Sequence, residues 1–196
     1  MRIKKKSDLL RLMAGRDRAA EPPPQPPGPQ RILGVDTALR TTGFGIIDAD
    51  GPRLAALDCG VIKSPARAPL SACLRRLAGG MRELIETYAP DLAVIEGAFY
   101  CRNVRTAMIL GSARGAVIAV LAEKNIPIYE YAPRKVKQSI CGYGNAGKQQ
   151  VALLVAQFLN IKVDNLADDA TDALALAICH AQGLLVARGL GLPPTL

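Results

Sequence analysis

The sequence predicts an α/β fold in which a five-stranded mixed sheet is flanked by helices. Two observations carry this prediction. Three strand-like segments with very short connections come first, and segments that alternate between helical and strand-like patterns follow them. Short connections join neighbouring strands as an antiparallel meander, whereas a helix between two strands is typical of parallel pairing. Both kinds of pairing are therefore expected within one sheet.

The five predicted strands are short apolar stretches between turn residues. The Asp-Ala-Asp-Gly stretch that ends at Gly51 predicts a tight turn between the second and third strands. The fourth strand, Asp-Leu-Ala-Val-Ile-Glu-Gly, is continuously apolar up to its glutamate, which is typical of a strand buried on both faces. The predicted strands cover residues 31–37, 42–48, 53–62, 91–97 and 126–131.

Helices are predicted where apolar residues recur every three or four positions. The clearest pattern runs from Leu70 to Tyr88, and the Arg-Lys-Val-Lys-Gln-Ser-Ile-Cys stretch that begins at Arg134 also looks helical. The remaining predicted helices cover residues 103–124, 148–159 and 168–185. From residue 70 onward, helices and strands therefore alternate as the fold class requires.

The first thirty residues differ in composition from the rest of the chain. Residues 1–30 hold seven Lys/Arg against three Asp/Glu, and six of the fourteen prolines lie between Pro22 and Pro29. We expect a disordered basic tail that ends in an extended, polyproline-like linker, without the apolar core of a secretory signal. The folded domain is predicted over residues 31–185, with a C-terminal tail at 186–196.

Composition and charge restrict the class of protein. Hydrophobic residues make up 49% of the chain, which is enough for a sizeable core. No apolar run is expected to reach the roughly 18 residues of a membrane span, because Arg114 and two glycines interrupt the longest candidate. The net charge of +8 favours a polyanionic partner such as nucleic acid, although a surplus of this size is also common in proteins that bind none. We therefore expect a soluble, cytoplasmic protein.

The cysteines and the single histidine suggest no metal or disulfide chemistry. The five cysteines form no C-x-x-C pair, so we expect reduced core cysteines in a cytosolic protein. One histidine cannot build a zinc cluster, and His180 is expected to be structural. The cysteines are at positions 59, 73, 101, 141 and 179.

Five acids occupy positions that need an explanation. Asp36 and Glu96 each follow a run of apolar residues on a predicted strand, where an unpaired carboxylate costs several kcal/mol or more. Three more, Asp168, Asp169 and Asp172, open the last predicted helix. Acids at a helix N-terminus have a common structural use, which explains the first two of these better than the third. Jointly, the strand and helix acids indicate a carboxylate cluster around a hard cation such as Mg²⁺.

A possible phosphate-binding loop is a poor match. The Gly-Tyr-Gly-Asn-Ala-Gly-Lys-Gln stretch at 142–149 fits G-x-x-x-x-G-K. That motif requires Ser or Thr after the lysine and a preceding strand, whereas Gln149 follows Lys148 here and a predicted helix precedes the loop. The glycines are better explained by a flexible loop that presents Lys148.

Taken together, five separated segments resemble the RuvC family of Holliday-junction resolvases, within the ribonuclease H-like superfamily. They occur in the family's order, and the resemblance extends from residue 31 to about 181. Thr37-Ala38 departs from the Pro-Gly that usually follows the family's first acid. The segments are LGVDTALRTTGFGII, AVIEGAFYCRN, GSARGAV, YEYAPRKVKQSICGYGNAGKQQV and ADDATDALALAICHA.

The resemblance implies a role for each site residue. It makes Asp36, Glu96, Asp169 and Asp172 the catalytic acids and metal ligands, although a one-residue shift in alignment would exchange Asp169 with Asp168. Lys137 and Lys148 are assigned to catalysis and phosphate contact, and Arg134 and Lys135 join them in DNA binding. Phe99 is expected to insert into the junction, unless it is an ordinary core phenylalanine.

The resemblance also implies an activity. The chain would be a Mg²⁺-dependent endonuclease, with Mn²⁺ as a possible substitute, that resolves four-way junctions by symmetric paired nicks during recombination and repair. Four carboxylates can hold two ions roughly 4 Å apart, the spacing of two-metal phosphodiester hydrolysis. The expected ends are a 5′-phosphate and a 3′-hydroxyl. Symmetric cutting suits a two-fold dimer, placed by resemblance on the helix at 103–124, although that helix could also pack only against its own sheet.

Several alternatives and partners follow from this interpretation. The family implies a branch-migration motor of the RuvA–RuvB type as a partner. One alternative is a nuclease of the same superfamily that acts on RNA–DNA hybrids or other branched DNA. Another is a junction-binding protein that does not cleave, which would need a lost acid although all four are present. A sugar-kinase-like or actin-like protein would need a second lobe that 196 residues cannot supply.

Overall fold

The chain folds around one five-stranded sheet, seen in a computed structural model that describes residues 28–97, 103–162, 167–187 and 193–196. The strand order is β3-β2-β1-β4-β5. β1 pairs antiparallel with β2, and β2 with β3, whereas β1–β4 and β4–β5 are parallel. The predicted mixed sheet is confirmed. The strands are β1 Gln30–Asp36, β2 Thr41–Asp50, β3 Arg53–Lys63, β4 Leu92–Glu96 and β5 Ile128–Tyr131.

Five helices cover the two faces of the sheet. Because successive strand residues point to opposite faces, Leu33 and Val35 pack under α1 and α2, whereas Ile32 packs under α3, α4 and α5. Each face therefore has its own apolar core, and β1 and β4 are buried on both sides. The helices are α1 Leu70–Tyr88, α2 Val104–Glu123, α3 Pro133–Cys141, α4 Lys148–Leu159 and α5 Asp168–Ala187.

α2 departs from one expectation. Among the described residues it is long and apolar enough to cross a membrane by length and composition, so the prediction that no segment is apolar enough was wrong for this helix. Arg114 does not disqualify it on composition, but that guanidinium is paired with Glu130. One side of α2 packs on the sheet and on α1, with Ala113, Val117 and Leu121 fully buried. Its apolar residues therefore serve a core on that side.

His180 has the structural surroundings that were predicted for it, whereas of the described cysteines only Cys73 and Cys179 are buried in the core and Cys59 and Cys141 are half-buried. His180 is fully buried on α5, its Nδ1 lies 3.1 Å from the Tyr131 hydroxyl, and its ring centroid lies 4.4 Å from that of Tyr129. Burial lowers the pKa of His180 to about 4, so it stays neutral in the core. The four described cysteines are free, and Cys101 lies outside the described residues.

Candidate active site

Two carboxylates end neighbouring strands at the same edge of the sheet. Asp36 is the last residue of β1 and Glu96 is the last residue of β4. These strands are parallel, with Val35 opposite Ile95, so their carboxyl ends lie side by side. The two acid side chains are close enough to share a hydrogen bond. The pair that the sequence singled out is therefore a pair in space.

Glycines on the sheet allow α5 to bring its acids to this edge. A Cβ on Gly34 would lie 1.9 Å from the Ala173 carbonyl oxygen, and a Cβ on Gly43 would lie 1.8 Å from that of Asp169. Any side chain at these positions would displace the helix, because real Cβ atoms do not approach so closely. The backbone of α5 thus rests directly on β1 and β2, with its first turn beside Asp36.

One cleft of about 360 Å³ joins most of the predicted site residues. It brings carboxylates from two strands and one helix together with two lysines. Asp169 is not among its lining residues, but its charge contributes to raising the pKa of Asp36. The predicted residues that line the cleft are Asp36, Glu96, Lys137, Lys148 and Asp172.

The neighbouring acid Asp168 has different surroundings. It is exposed and lines a second cleft, of about 600 Å³, on the other side of Lys148. Its charge acts on Asp172, whereas that of Asp169 acts on both Asp172 and Asp36. Asp169 is the less exposed of the two acids, and it is the one whose charge acts on the strand acid Asp36. Sequence reasoning missed Gln149 and Thr171 in this second cleft, and adjacency to Lys148 and Asp172 was the only signal that pointed to them.

Burial and mutual repulsion raise the pKa values of the two strand acids. Burial raises the pKa of Asp36 to about 6, and repulsion by Asp172 and Asp169 adds to the shift while Lys148 opposes it. Burial also raises the pKa of Glu96 to about 7, with repulsion by Asp36 next in size. The pKa of Asp172 is raised by burial as well, against the attraction of Lys148. The positive charge of Lys148 therefore does not offset burial and the repulsion among these carboxylates.

The residues present fit a hard divalent cation. Carboxylate oxygens are the ligands that Mg²⁺ and similar ions prefer, and repelling carboxylates at a sheet edge are stabilised by such an ion. Within the described residues, no group of three or more acidic, histidine or cysteine side chains already surrounds a single ion position. Instead, Asp36 and Glu96 lie side by side at the ends of their strands, and Asp172 lies 3.7 Å from the Lys148 ammonium.

Four predicted basic residues lie on or next to this cleft. Lys148 begins α4, and its side chain is 71% exposed at the cleft mouth. Lys137 lines the same cleft from α3. Arg134 and Lys135 are on α3 too, but they are exposed outside the cleft, and the Arg134 side chain covers Gly144. The structure therefore places two of the four basic residues in the site and two beside it.

Two further expectations concern residues that follow Glu96 and Asp36 along the chain. Phe99 lies outside the described residues. The Thr37-Ala38 turn after Asp36 is held by Thr42, whose hydroxyl donates to the Ala38 carbonyl oxygen at 2.5 Å and accepts from the Ala38 amide at 3.3 Å. The turn that replaces the family's Pro-Gly is therefore fixed by a side chain of β2.

Comparison with known proteins gives consistent results. The family model described as crossover junction endodeoxyribonuclease RuvC matches residues 32–180. The chain is 46% identical over 153 residues to the crossover junction endodeoxyribonuclease RuvC of Ralstonia pickettii (strain 12J). The alignment covers 78% of this chain and 84% of the relative. The chain is 44% identical over 154 residues to that of Thermotoga maritima, covering 79% of this chain and 92% of the relative.

A solved structure agrees as well. The Thermus thermophilus RuvC structure in complex with a Holliday junction substrate superimposes with a TM-score of 0.75 at 28% identity. The match covers 81% of this chain and 96% of that one. The sheet order, the flanking helices and this likeness together identify the ribonuclease H-like fold.

Proposed function

Since this chain belongs to the RuvC family of crossover junction endodeoxyribonucleases, we propose that it resolves four-way DNA junctions by cutting two opposing strands. The observation that carries this proposal is the cleft in which Asp36, Glu96 and Asp172 face Lys148. A phosphodiester carries negative charge, so a pure carboxylate cleft would repel it. The lysines and bound cations make the cleft able to accept a DNA backbone.

The family's dependence on divalent metal fits these side chains, and we infer that the ion is Mg²⁺, two per site, with Mn²⁺ as a substitute. Asp36, Glu96, Asp169 and Asp172 would hold the ions. When bound, such ions supply Lewis acidity and a water of lowered pKa for phosphodiester hydrolysis. The protein contributes the rigid placement of the carboxylates. Asp36 and Glu96 are the last residues of two buried strands, and Asp169 and Asp172 lie on α5, whose backbone packs directly against glycines of the sheet.

The lysines complement the charge that develops on phosphorus. Lys148 lies at the cleft mouth beside Asp172, so its ammonium is available to a phosphate oxygen. Lys137 faces the same cleft from α3 and would stabilise the same charge from another side. Cleavage on this plan leaves a 5′-phosphate and a 3′-hydroxyl, which a ligase can rejoin.

DNA beyond the cut site would follow the basic surface of α3. Arg134 and Lys135 are exposed there, next to the cleft that contains Lys137 and Lys148. Such residues contact phosphates and orient the duplex without reading sequence. We expect Phe99 to stack on bases at the crossover, since an aromatic ring binds unpaired bases of any sequence.

The exposed face of α2 supports assembly into a two-fold homodimer. Val104 is 72% exposed and Met108 is 69% exposed, while Gly111 and Gly115 have open space around them within one chain. Small and apolar residues on an exposed helix permit close approach of a second copy. Two active sites related by a two-fold axis match the symmetry of a four-way junction. A branch-migration motor of the RuvA–RuvB type and a cytoplasmic location complete the proposal.

The test is strand-specific cleavage of a synthetic mobile four-way junction, with linear duplex and RNA–DNA hybrid as competing substrates. Wild type is compared with Asp36→Asn in Mg²⁺, and the ends are analysed for 5′-phosphate. We expect paired, symmetric nicks only in the junction. Their rate should fall by roughly 100-fold or more in the variant, because a metal ligand is lost.

Two outcomes would favour the alternatives. Preferential cutting of the hybrid would make the chain a different ribonuclease H-like nuclease. Tight junction binding with no cutting in either Mg²⁺ or Mn²⁺ would leave a binding protein, and the assignment of Asp36, Glu96, Asp169 and Asp172 would then be wrong.

A further inference from the structure

A charged residue of α2 reaches the end of β4. The Arg114 side chain is 19% exposed and lies on the same helix as the buried Ala113 and Val117. Its Nη1 donates to the Glu96 carbonyl oxygen at 2.5 Å, and its Nη2 donates to Glu130 Oε2 at 2.5 Å. One guanidinium thus connects α2 to two adjacent strands, at the residue that supplies a carboxylate to the cleft.

The Glu96 carbonyl lies where the support of the sheet ends. The register pairs between β1 and β4 stop at Val35 and Ile95, one residue before Glu96. On the other side, the Gly97 amide still donates to the Tyr131 carbonyl at 2.8 Å. Arg114 therefore holds the backbone of Glu96 just beyond the last residue that pairs with β1.

The residue after Glu96 is packed against the same ion pair. A Cβ on Gly97 would lie 3.1 Å from Glu130 Oε1 and 3.3 Å from the Tyr131 carbonyl oxygen. A half-buried guanidinium that donates to a carboxylate with one nitrogen and to a backbone carbonyl with the other has little freedom to shift. The backbone on both sides of the Glu96 carbonyl group is consequently confined by Arg114 and Glu130.

We propose that Arg114 is a positioning residue for the metal site: it fixes Glu96 through its carbonyl and thereby couples α2 to catalysis. This inference rests on the proposed role of Glu96 as a metal ligand. Groups that hold a ligand in place typically affect metal affinity or activity by about 10- to 100-fold when they are removed. Because the other side of α2 is the expected dimer contact, the same guanidinium links that contact to the cleft.

The experiment compares Arg114→Met, Arg114→Lys and Glu130→Gln with wild type. Lysine keeps the positive charge but lacks the planar fork that donates to both partners, so it should not restore the site. The matched control is Arg82→Gln, since Arg82 forms an exposed ion pair between α1 and α2, 3.2 Å from Glu123. Loss of a positive charge alone would affect Arg82→Gln and Arg114→Met alike.

Three readouts separate positioning from mere stability. Mn²⁺ binding to the DNA-free protein, measured by calorimetry, should weaken about tenfold in both Arg114 variants and remain unchanged in the control. Hydrogen exchange of the Gly97 amide should accelerate about tenfold without metal, since the end of β4 is no longer held. The Mg²⁺ concentration for half-maximal cleavage should rise, whereas junction binding without metal should stay within about twofold of wild type.

Different results test the positioning role of Arg114 and the proposed function of the protein. Arg114 variants that bind Mn²⁺ and exchange Gly97 like wild type, or a lysine variant that restores both, would overturn the positioning role. Should Arg114→Met fail to fold, the Lys and Glu130→Gln variants decide, because they retain a charge or a hydrogen-bonding oxygen. A wild type that binds Mn²⁺ but cuts no junction would instead overturn the proposed function alone.

Discussion

Two apolar helices of twenty residues each, α2 and α5, lie on opposite faces of the sheet and are used differently. α5 is buried along most of its length, and Ala173, Leu174 and Ala177 are fully buried. α2 buries one side only and leaves Val104 and Met108 exposed. The difference shows that apolar composition alone does not decide how deeply a helix packs. How deeply each helix is buried depends on the surface against which it packs.

The surface under α5 includes three glycines that the helix approaches closely, Gly34, Gly43 and Gly45, and changing one should produce the largest effect. A methyl on Gly34 would lie 1.9 Å from the Ala173 carbonyl oxygen, so we expect Gly34→Ala to reduce the free energy of unfolding by about 3 kcal/mol. Urea denaturation measures this. The control is Gly79→Ala on α1, where a Cβ has open space and should stabilise by up to about 1 kcal/mol. Equal stabilities of the two variants would mean that α5 does not rest on the sheet as described.

A substitution on the exposed side of α2 should affect assembly of the protein rather than its folding. Met108→Glu places a charge on a residue that is 69% exposed in one chain, so the free energy of unfolding of that chain should change by less than about 0.5 kcal/mol. If α2 is the dimer contact, sedimentation should shift from dimer to monomer at micromolar concentration. A variant that sediments in the same way as a dimeric wild type would place the contact elsewhere.

The acids of the cleft predict a dependence of stability on pH. The pKa values of Asp36 and Glu96 are raised from 3.8 and 4.5 to about 6 and about 7. The folded state therefore binds more protons than the unfolded state between these values, and metal-free stability falls as pH rises from about 4 to about 7. His180 acts in the opposite direction, because burial lowers its pKa from 6.5 to about 4.

Comparing the pH profiles of wild type and Asp36→Asn separates the contribution of the carboxylates from that of His180. Urea denaturation in EDTA between about pH 4.5 and 8 is compared for wild type and Asp36→Asn, because His180 is common to both. The decline with pH should be shallower in the variant, and saturating Mg²⁺ should remove most of it from wild type. A wild type and variant with parallel pH profiles would show that Asp36 is not held in a crowded carboxylate cluster.

The smallest effect is expected where α2 meets α1 at the surface. The Arg82–Glu123 and Lys124–Glu86 pairs connect α1 to the C-terminal end of α2 and the residue after it, at 3.2 and 3.5 Å, with all four side chains well exposed. Removing either pair should lower the free energy of unfolding by less than about 0.5 kcal/mol, and less still at high salt. Thermal denaturation at low and high ionic strength measures this. A larger loss would mean that α2 depends on its surface pairs rather than on its buried side.

Much of this architecture could be predicted from the pattern of residues. The short connections of the meander and the Leu70–Tyr88 period are local signals, so the mixed sheet and α1 were predicted with nearly the observed bounds. The juxtaposition of Asp36 and Glu96 followed because parallel strands end at one edge. The sequence does not reveal the contacts of Arg114, which interrupts an apolar run and lies in the GSARGAV segment without any residue beside it that points to its partners. Its partners lie 16 and 18 residues away along the chain, and only the folded sheet brings them together.

α5 has a consequence for how the enzyme meets its substrate. The helix that carries Asp169 and Asp172 is buried from Ala173 to Ala181 in the core on one face of the sheet, so its first turns are anchored by that core. Local opening of these acids should therefore require nearly the free energy of global unfolding. We expect a site of this kind to leave the change of shape to the DNA, so that the deformability of the junction contributes to the enzyme's specificity.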